Sequence, residues 1–362
     1  MSKNKLIIIL AVIVAILAII GVTVVFTPKA NTSNTENKLS GLEEQNNIEV
    51  ELNQEKVDII DINSKTRPYA VAVNNTAVAV KVQEGLNKAY LVYEIPTEGN
   101  TSRVLALYKD IEEDLTIGTI RSARHNFVDF ALESDAILCC FGWSHYAERD
   151  MKSGSIEYIQ GLYGGPYWRN NPEKLAKEHT AYTSTAKLDK TVKSKGFKTT
   201  SNDTILLNYD VSDVDLSSAT NVKKANTVTI PYGSSYYKSS FKYDAETKMY
   251  TRYQKGNKCV DYKTKEAITT KNIIVQKLSY SMCDDNYYWD LDTIGSGEGY
   301  YITNGYAVPI KWSKSSRSAK TKYTYKSATV INGQDVGGQE ISVSDGRTWI
   351  EVQTTKQKTI IE

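Results

Sequence analysis

Proline, cysteine and histidine are all scarce in this 362-residue chain, with seven, four and three of them respectively. So few prolines exclude a polyproline or collagen-like rod. Four cysteines are too few for a disulfide-stapled miniature fold, and no CxxC or His/Cys spacing marks a structural metal site. Neither sign of charge dominates, since 44 basic residues face 42 acidic ones. No overall field therefore recruits nucleic acid or anionic lipid. The Gly-x-Ser-x-Gly elbow, the Walker A loop, the dinucleotide fingerprint and the HExxH pattern are missing too. Those absences speak against the common hydrolase, nucleotide-binding and zinc-peptidase classes, and no metal or cofactor is expected.

What the chain does have begins at its N-terminus. Residues 6–26, LIIILAVIVAILAIIGVTVVF, carry no charge and follow Lys3 and Lys5. Twenty-one residues at about 1.5 Å each match a hydrocarbon core of about 30 Å. Cleavable signals have shorter apolar regions of about 7–15 residues, so an uncleaved membrane anchor is expected, although the small residues near Ala30 keep cleavage open. The lysines place the N-terminus inside, so the bulk of the chain lies outside the cytoplasm.

The composition then divides the chain. Residues 1–26 read as cytoplasmic tip and anchor, and 27–65, rich in Asn, Glu, Ser and Lys, as a flexible stalk. Residues 66–200 carry strand-like runs at 69–74, 89–95, 103–109 and 136–143, with helices expected over 124–134 and 183–196. From 201 to 362, short Tyr-, Thr- and Val-rich runs alternate with turn residues, and the 25 tyrosines of the chain suit half-buried strands. The fold class is α+β: an N-terminal membrane helix, a mixed α/β first domain and a β-rich, sandwich- or barrel-like second domain. Cys139 and Cys140 fall in a buried run, and pairing of Cys259 with Cys283 stays open.

The strongest constellation is IGTIRSARHNFVDFALE at 117–133. A turn at Gly118 feeding a helix near Ser122 would aim free N–H groups at one point. Arg121 and Arg124 would add fork-shaped donors matched to phosphate or carboxylate. Arg121, His125, Asp129 and Glu133 are also spaced by four, so a continuous helix would stack them as an ordinary charged rim. Both readings stay open on spacing alone. Glu94, Arg103, Arg169 and His179 are further polar candidates. The loop GLYGGPYWRNN presents rings that either stack on a sugar or merely close a connection.

In order along the chain, RPYAVAVNN, AYLVYE, EGNTSRVLALY, IGTIRSARHNFVDFALESDAI and HTAYTS resemble the YerB-like family of bacterial envelope lipoproteins. SSFKYDAETKMYTRYQKG, NIIVQ, GEGYYITNGYAVPIKWS and GRTWIEV are similar to that family's C-terminal domain, so the resemblance spans about residues 67–353. It implies a two-domain extracytoplasmic protein of Gram-positive-type bacteria. It also implies recurring polar positions at Glu94, Arg103, Arg121, Ser122, Arg124, Asp129 and His179. The family usually has proline where Thr119 stands and Pro-His-Asn where Glu178-His179-Thr180 stands. Its lipidated cysteine is replaced here by the apolar span.

The expected function is binding or scaffolding at the outer membrane face. Arg103, Arg121, Ser122 and Arg124 would hold an anionic cell-wall glycan or other envelope ligand, or the partner would be an envelope protein; no nucleic acid is expected. The alternative is an envelope hydrolase or transferase acting on a phosphate-containing wall glycan or lipid-linked precursor. There Glu94, Asp129 or His179 would supply acid–base chemistry.

Overall fold

Strand β1, Tyr69–Val73, shows why the first half reads as short apolar runs. Ala70 and Ala72 face one hydrophobic cluster while Val71 and Val73 face another, and all four are buried. A strand covered on both faces needs apolar residues at every position rather than at alternate ones. Strands β2 (Leu91–Thr97), β3 (Thr101–Tyr108) and β4 (Ile137–Cys140) are covered in the same way and are mainly apolar, with Glu94 and Arg103 as buried charged exceptions. The computed structural model describes residues 57–233 and 238–362.

Strand β5 is Tyr158–Gln160. Later strands are β6 (Thr227–Pro231), β7 (Lys238–Asp244), β8 (Met249–Gln254), β9 (Asn272–Leu278), β10 (Gly295–Thr303), β11 (Tyr306–Lys314) and β12 (Thr348–Thr354). An 11-stranded sheet runs β11-β10-β9-β12-β2-β3-β1-β4-β5, with short strands added at β11. Strand β12 lies parallel to both β9 and β2. The last long strand of the chain therefore closes the sheet between its N-terminal and C-terminal strands.

Helices α1 (His125–Leu132) and α2 (His145–Lys152) cover one face through Phe127, Val128, Phe130, Ala131, Ala147 and Met151. Helix α3 (Thr185–Lys195) and a six-stranded sheet containing β6, β7 and β8 cover the other. Leu188, Val192, Val228, Ile230, Phe241 and Tyr250 supply that second core. Each fully buried side chain of this size contributes about 1.5–3 kcal/mol. The fold is mixed α/β and strand-rich, and strands after residue 200 divide between the shared sheet and the second one.

Several expectations shift. Helix α3 ends where expected, with Gly196 at φ 67° closing it, but its first residue is Thr185 because 181–184 form a strand. Helix α2 has no counterpart in the sequence reading. The folded region starts before residue 66: Val57 and Ile60 are buried in the first core, and Asp345 accepts the N–H of Asp58 at 2.7 Å. Two large apolar residues sufficed to dock a segment that its polar neighbours had marked as stalk. The membrane span expected at residues 6–26, and residues 27–56, lie outside the described residues. Among the described residues no helix is long and apolar enough to cross a membrane. All four cysteines are free thiols, Cys259 lying against Arg252 and Cys283 against His125.

Candidate functional site

The segment 119–124 is a wedge driven between two strands, not the first turn of a helix. Strands β1 and β4 pair directly only from Tyr69 to Val71. Beyond that point they part, and the backbone of the wedge fills the gap. Asn74 donates to Thr119 O (2.7 Å) and Arg121 to Ala72 O (2.8 Å) on one side. Phe141 donates to Arg121 O (3.0 Å) and Ala123 to Gly142 O (3.0 Å) on the other. The wedge thus closes the crevice at the carboxyl ends of parallel strands, a common place for ligands in such sheets. Two glycines permit this. A Cβ on Gly118 would stand 2.1 Å from the Tyr182 ring, and one on Gly142, at φ +91°, 2.9 Å from the Ser122 hydroxyl.

Helix α1 begins only at His125, with Arg124 in extended conformation as its N-cap. Arg121 is therefore off the helix, and the stacked rim of Arg121, His125, Asp129 and Glu133 does not form. The arginines meet instead. Arg103, on β3 and 8% exposed, donates Nη1 to Ser122 O and approaches the Glu98 carboxylate at 3.8 Å. Arg124 grips Glu98 with two donors, Nε at 2.8 Å and Nη2, and lies 5.2 Å from the Tyr288 ring centroid. Arg121 reaches the Glu178 carboxylate and carbonyl at 3.4 Å each, while its buried Nε has no partner among the described residues. The Ser122 hydroxyl donates to Phe141 O at 3.3 Å.

Burial pulls Arg103 down to about 9; Arg124 and Arg121 pull the same way, and Glu98 opposes them. Burial would raise Glu98, yet Arg124 and Arg103 hold it below its ordinary range. Three guanidinium groups thus crowd one place, with the half-buried Glu98 carboxylate between two of them and the exposed Glu178 carboxylate against the third. Like charges in a partly desolvated site repel, and a bound anion relieves that repulsion.

His179 belongs to the same neighbourhood. Its Nδ1 meets Asn74 Nδ2 at 2.8 Å and its Nε2 lies 3.6 Å from Glu178. Because the Asn74 amide donates, Nδ1 accepts and the imidazole is neutral with its proton on Nε2. Burial lowers its pKa; Glu178 opposes and Arg121 adds to the lowering.

Glu94 and Asp129 stand elsewhere. Glu94 points to the opposite face of the sheet from Arg103. It accepts from Asn75 (2.9 Å), Ser102 (2.6 Å), Ser239 (2.7 Å) and Arg252 (3.0 Å). Asp129 accepts from Arg317 and from Thr293 at 2.6 Å, beside a separate cleft of about 460 Å3 that holds His125, Cys283 and Asp290. Burial and three aspartates push the Cys283 thiol up to about 11, so the Cys283–His125 contact at 3.9 Å does not make a nucleophile.

Sequence reasoning missed Glu98, Glu178, Asn74 and Tyr288. Glu98 was within reach of it: it lies in the turn before Arg103, and the hairpin pairs Ile95 with Arg103. Tyr288 arrives from 164 residues beyond Arg124 in sequence, with no local signal (288 minus 124).

This two-layered fold around one shared sheet has relatives. Residues 58–198 match the family described as "Protein of unknown function (DUF3048) N-terminal domain", and residues 228–350 match its C-terminal domain. The chain belongs to this two-domain, YerB-like family. It is similar to "Putative lipoprotein YerB" of Bacillus subtilis (strain 168), at 29% identity over 296 residues, 80% of this chain and 82% of that protein. It is also similar to the crystal structure of YerB protein from Bacillus subtilis, with a TM-score of 0.66 and 26% identity. That likeness covers 82% of this chain and 94% of the other.

Proposed function

We propose that this is a membrane-anchored, extracytoplasmic binding protein of the bacterial envelope, which holds an anionic ligand at Arg103, Arg121, Ser122 and Arg124. One observation carries the reading: three arginines converge on the carboxyl-end crevice, where the half-buried Glu98 serves Arg103 and Arg124 and only the exposed Glu178 meets Arg121. The apolar span at residues 6–26 and the relative's description as a lipoprotein support the envelope location. Arginine forks against phosphate or carboxylate supply both affinity and orientation.

The enzymatic alternative is less well supported. An envelope hydrolase or transferase needs an acid and a base within hydrogen-bond reach of the bound anion. Glu94 and Asp129 lie away from the arginines with their oxygens already engaged. Of the three acid–base candidates His179 alone stands near Arg121, beside Glu178, and turnover of a lipid-linked precursor that is lost in His179→Ala would favour this reading.

The test is calorimetric titration of the detergent-solubilised full chain with inorganic pyrophosphate at low and moderate salt. Binding that weakens with salt and falls about tenfold in Arg121→Ala is expected, since hydrogen bonds to charged groups contribute about 1.5–3 kcal/mol. Equal binding by the wild type and by Arg121→Ala and Arg124→Ala variants that remain folded sinks the reading.

A further inference from the structure

We infer that the anion held by the arginines is carried on a sugar polymer, and that Trp143 and Tyr163 form the platform on which its sugar ring lies. This inference rests on the anion-site reading above and names the class of ligand. Nothing in the arginine cluster itself requires these aromatic residues.

The platform lies at the carboxyl ends of β4 and β5. Tyr163 is 81% exposed and Leu162 49% exposed. Two adjacent large side chains in water at one loop tip, joined to a half-buried tryptophan, are a feature that core packing does not explain. The rings are ordered among themselves. Tyr163 meets Trp143 at 6.3 Å between centroids, and Trp143 meets Tyr158 edge-on at 6.1 Å. The tip is a built turn: the Leu162 N–H donates to Gln160 Oε1 at 2.6 Å, and Leu162 pairs with Gly164.

The platform joins the arginine wedge directly. Ala123 pairs with Trp143 in a parallel bridge, and the Ser144 N–H donates to Ala123 O at 3.1 Å. A Cβ on Gly142 would touch both the Ser122 hydroxyl and, at 3.7 Å, the Leu162 methyl groups. Arg121 and Arg124 flank Ala123, so their chain positions lie within about 7 Å of the residue paired with Trp143 at about 3.3 Å per extended residue. That is within reach of adjacent units of one glycan.

The chemistry of the neighbourhood selects the occupant. An aromatic face is complementary to the C–H face of a pyranose ring, while forked cations fit the phosphate that links or decorates it. Two cations border the rings: Arg169 lies 4.4 Å from the Phe141 ring at the same strand end, and Lys152 Nζ, paired with Glu148 at 2.7 Å, lies 5.9 Å from the Trp143 ring. A neutral apolar peptide would gain nothing from those charges. The rings sit on open surface, which suits the interior of a polymer.

The experiment uses the full chain in detergent and three probes: poly(glycerol phosphate) bearing glucosyl groups, the same polymer without them, and poly-glutamate. Calorimetry and tryptophan fluorescence report binding. The glucosylated polymer is expected to bind at least about tenfold more tightly than the bare one, a gap that buried apolar ring contact readily supplies. Tyr163→Ala and Trp143→Ala should each shrink that ratio towards one while leaving the bare polymer's affinity unchanged. Tyr163→Ala keeps the test sound if Trp143→Ala misfolds, because Tyr163 supports no core. Equal affinity for the two polymers, a ratio unmoved by Tyr163→Ala, or poly-glutamate binding as tightly as the glucosylated polymer overturns the sugar class while the anion site stands. Loss of binding to every probe overturns both.

Discussion

Glu94 and Glu351 stand side by side on the parallel strands β2 and β12, both completely buried, and Arg252 donates a charged hydrogen bond to Glu94 alone. The Tyr232 hydroxyl lies 2.5 Å from Glu351 Oε2, while Glu351 Oε1 has no partner among the described residues. One cation thus serves two carboxyl groups. Burial and the neighbouring Glu94 charge raise the Glu351 pKa well above its ordinary 4.5, against smaller opposition from Tyr232 and Arg252. Glu351 is therefore the proton-bearing member of the pair.

That assignment fixes a sign. A carboxyl group whose folded-state pKa is raised retains a proton that the unfolded chain releases, so stability falls as pH rises above about 4.5. Glu351→Gln removes this loss because the amide stays neutral. Thermal unfolding should show the variant gaining about 2–4 °C on the wild type between pH 5 and pH 8.5. A gap that stays constant with pH would place the charge on Glu351 and refute the assignment.

The exposed Glu178 occupies the same Arg121 fork that an incoming anion would use, at the loose distance of 3.4 Å. An exposed pair contributes only about 0.2–1 kcal/mol. Removing its charge in Glu178→Gln should therefore tighten pyrophosphate binding about twofold to fivefold at neutral pH. If affinity drops, Glu178 belongs to the ligand's side of the site and does not compete with it.

Ile60 anchors the first described segment of the chain to the core. Its side chain is buried in the first core, and Asp345 accepts the neighbouring backbone N–H of Ile59 at 3.0 Å. Ile60→Ala should cost about 2 kcal/mol in denaturant unfolding, the lower end for a buried Ile truncation. A fragment starting at residue 66 should lose more than that against one starting at residue 54. Equal stability of the two fragments would mean that the segment is only laid on the surface.

Much of the first half was legible because its signals are local. YAVAV, LVYEI and RVLALY are apolar at nearly every position, as a strand covered on both faces favours, with Glu94 and Arg103 the buried exceptions. Gly196 marked the end of α3 by its positive φ. Helix α2 was not legible, since HYAERDMK buries only Ala147 and Met151 and offers too few apolar positions to show a period. The spacing of four from Arg121 to Glu133 misled for a related reason. It is a helical period, but backbone bonds to Ala72 and Phe141 hold Arg121 in an extended wedge.

By itself, then, the sequence determined the strands of the central sheet, the concentration of arginine at 121–124, and the family to which the chain belongs. Those depend on side-chain period and motif order, which are properties of neighbours in the chain. Only the tertiary structure decided which of the charges meet. The tight turn at 98–100 sets Arg103 opposite Ile95 and Glu94 opposite Val104, which sends Arg103 and Glu94 to opposite faces of the sheet. Closure of the sheet by β12 brings Glu351 against Glu94, and the hairpin of Tyr280–Met282 and Trp289–Leu291 brings Tyr288 to Arg124. Charge pairing and burial depend on which strands become neighbours across hundreds of residues, and local sequence carries no record of that choice.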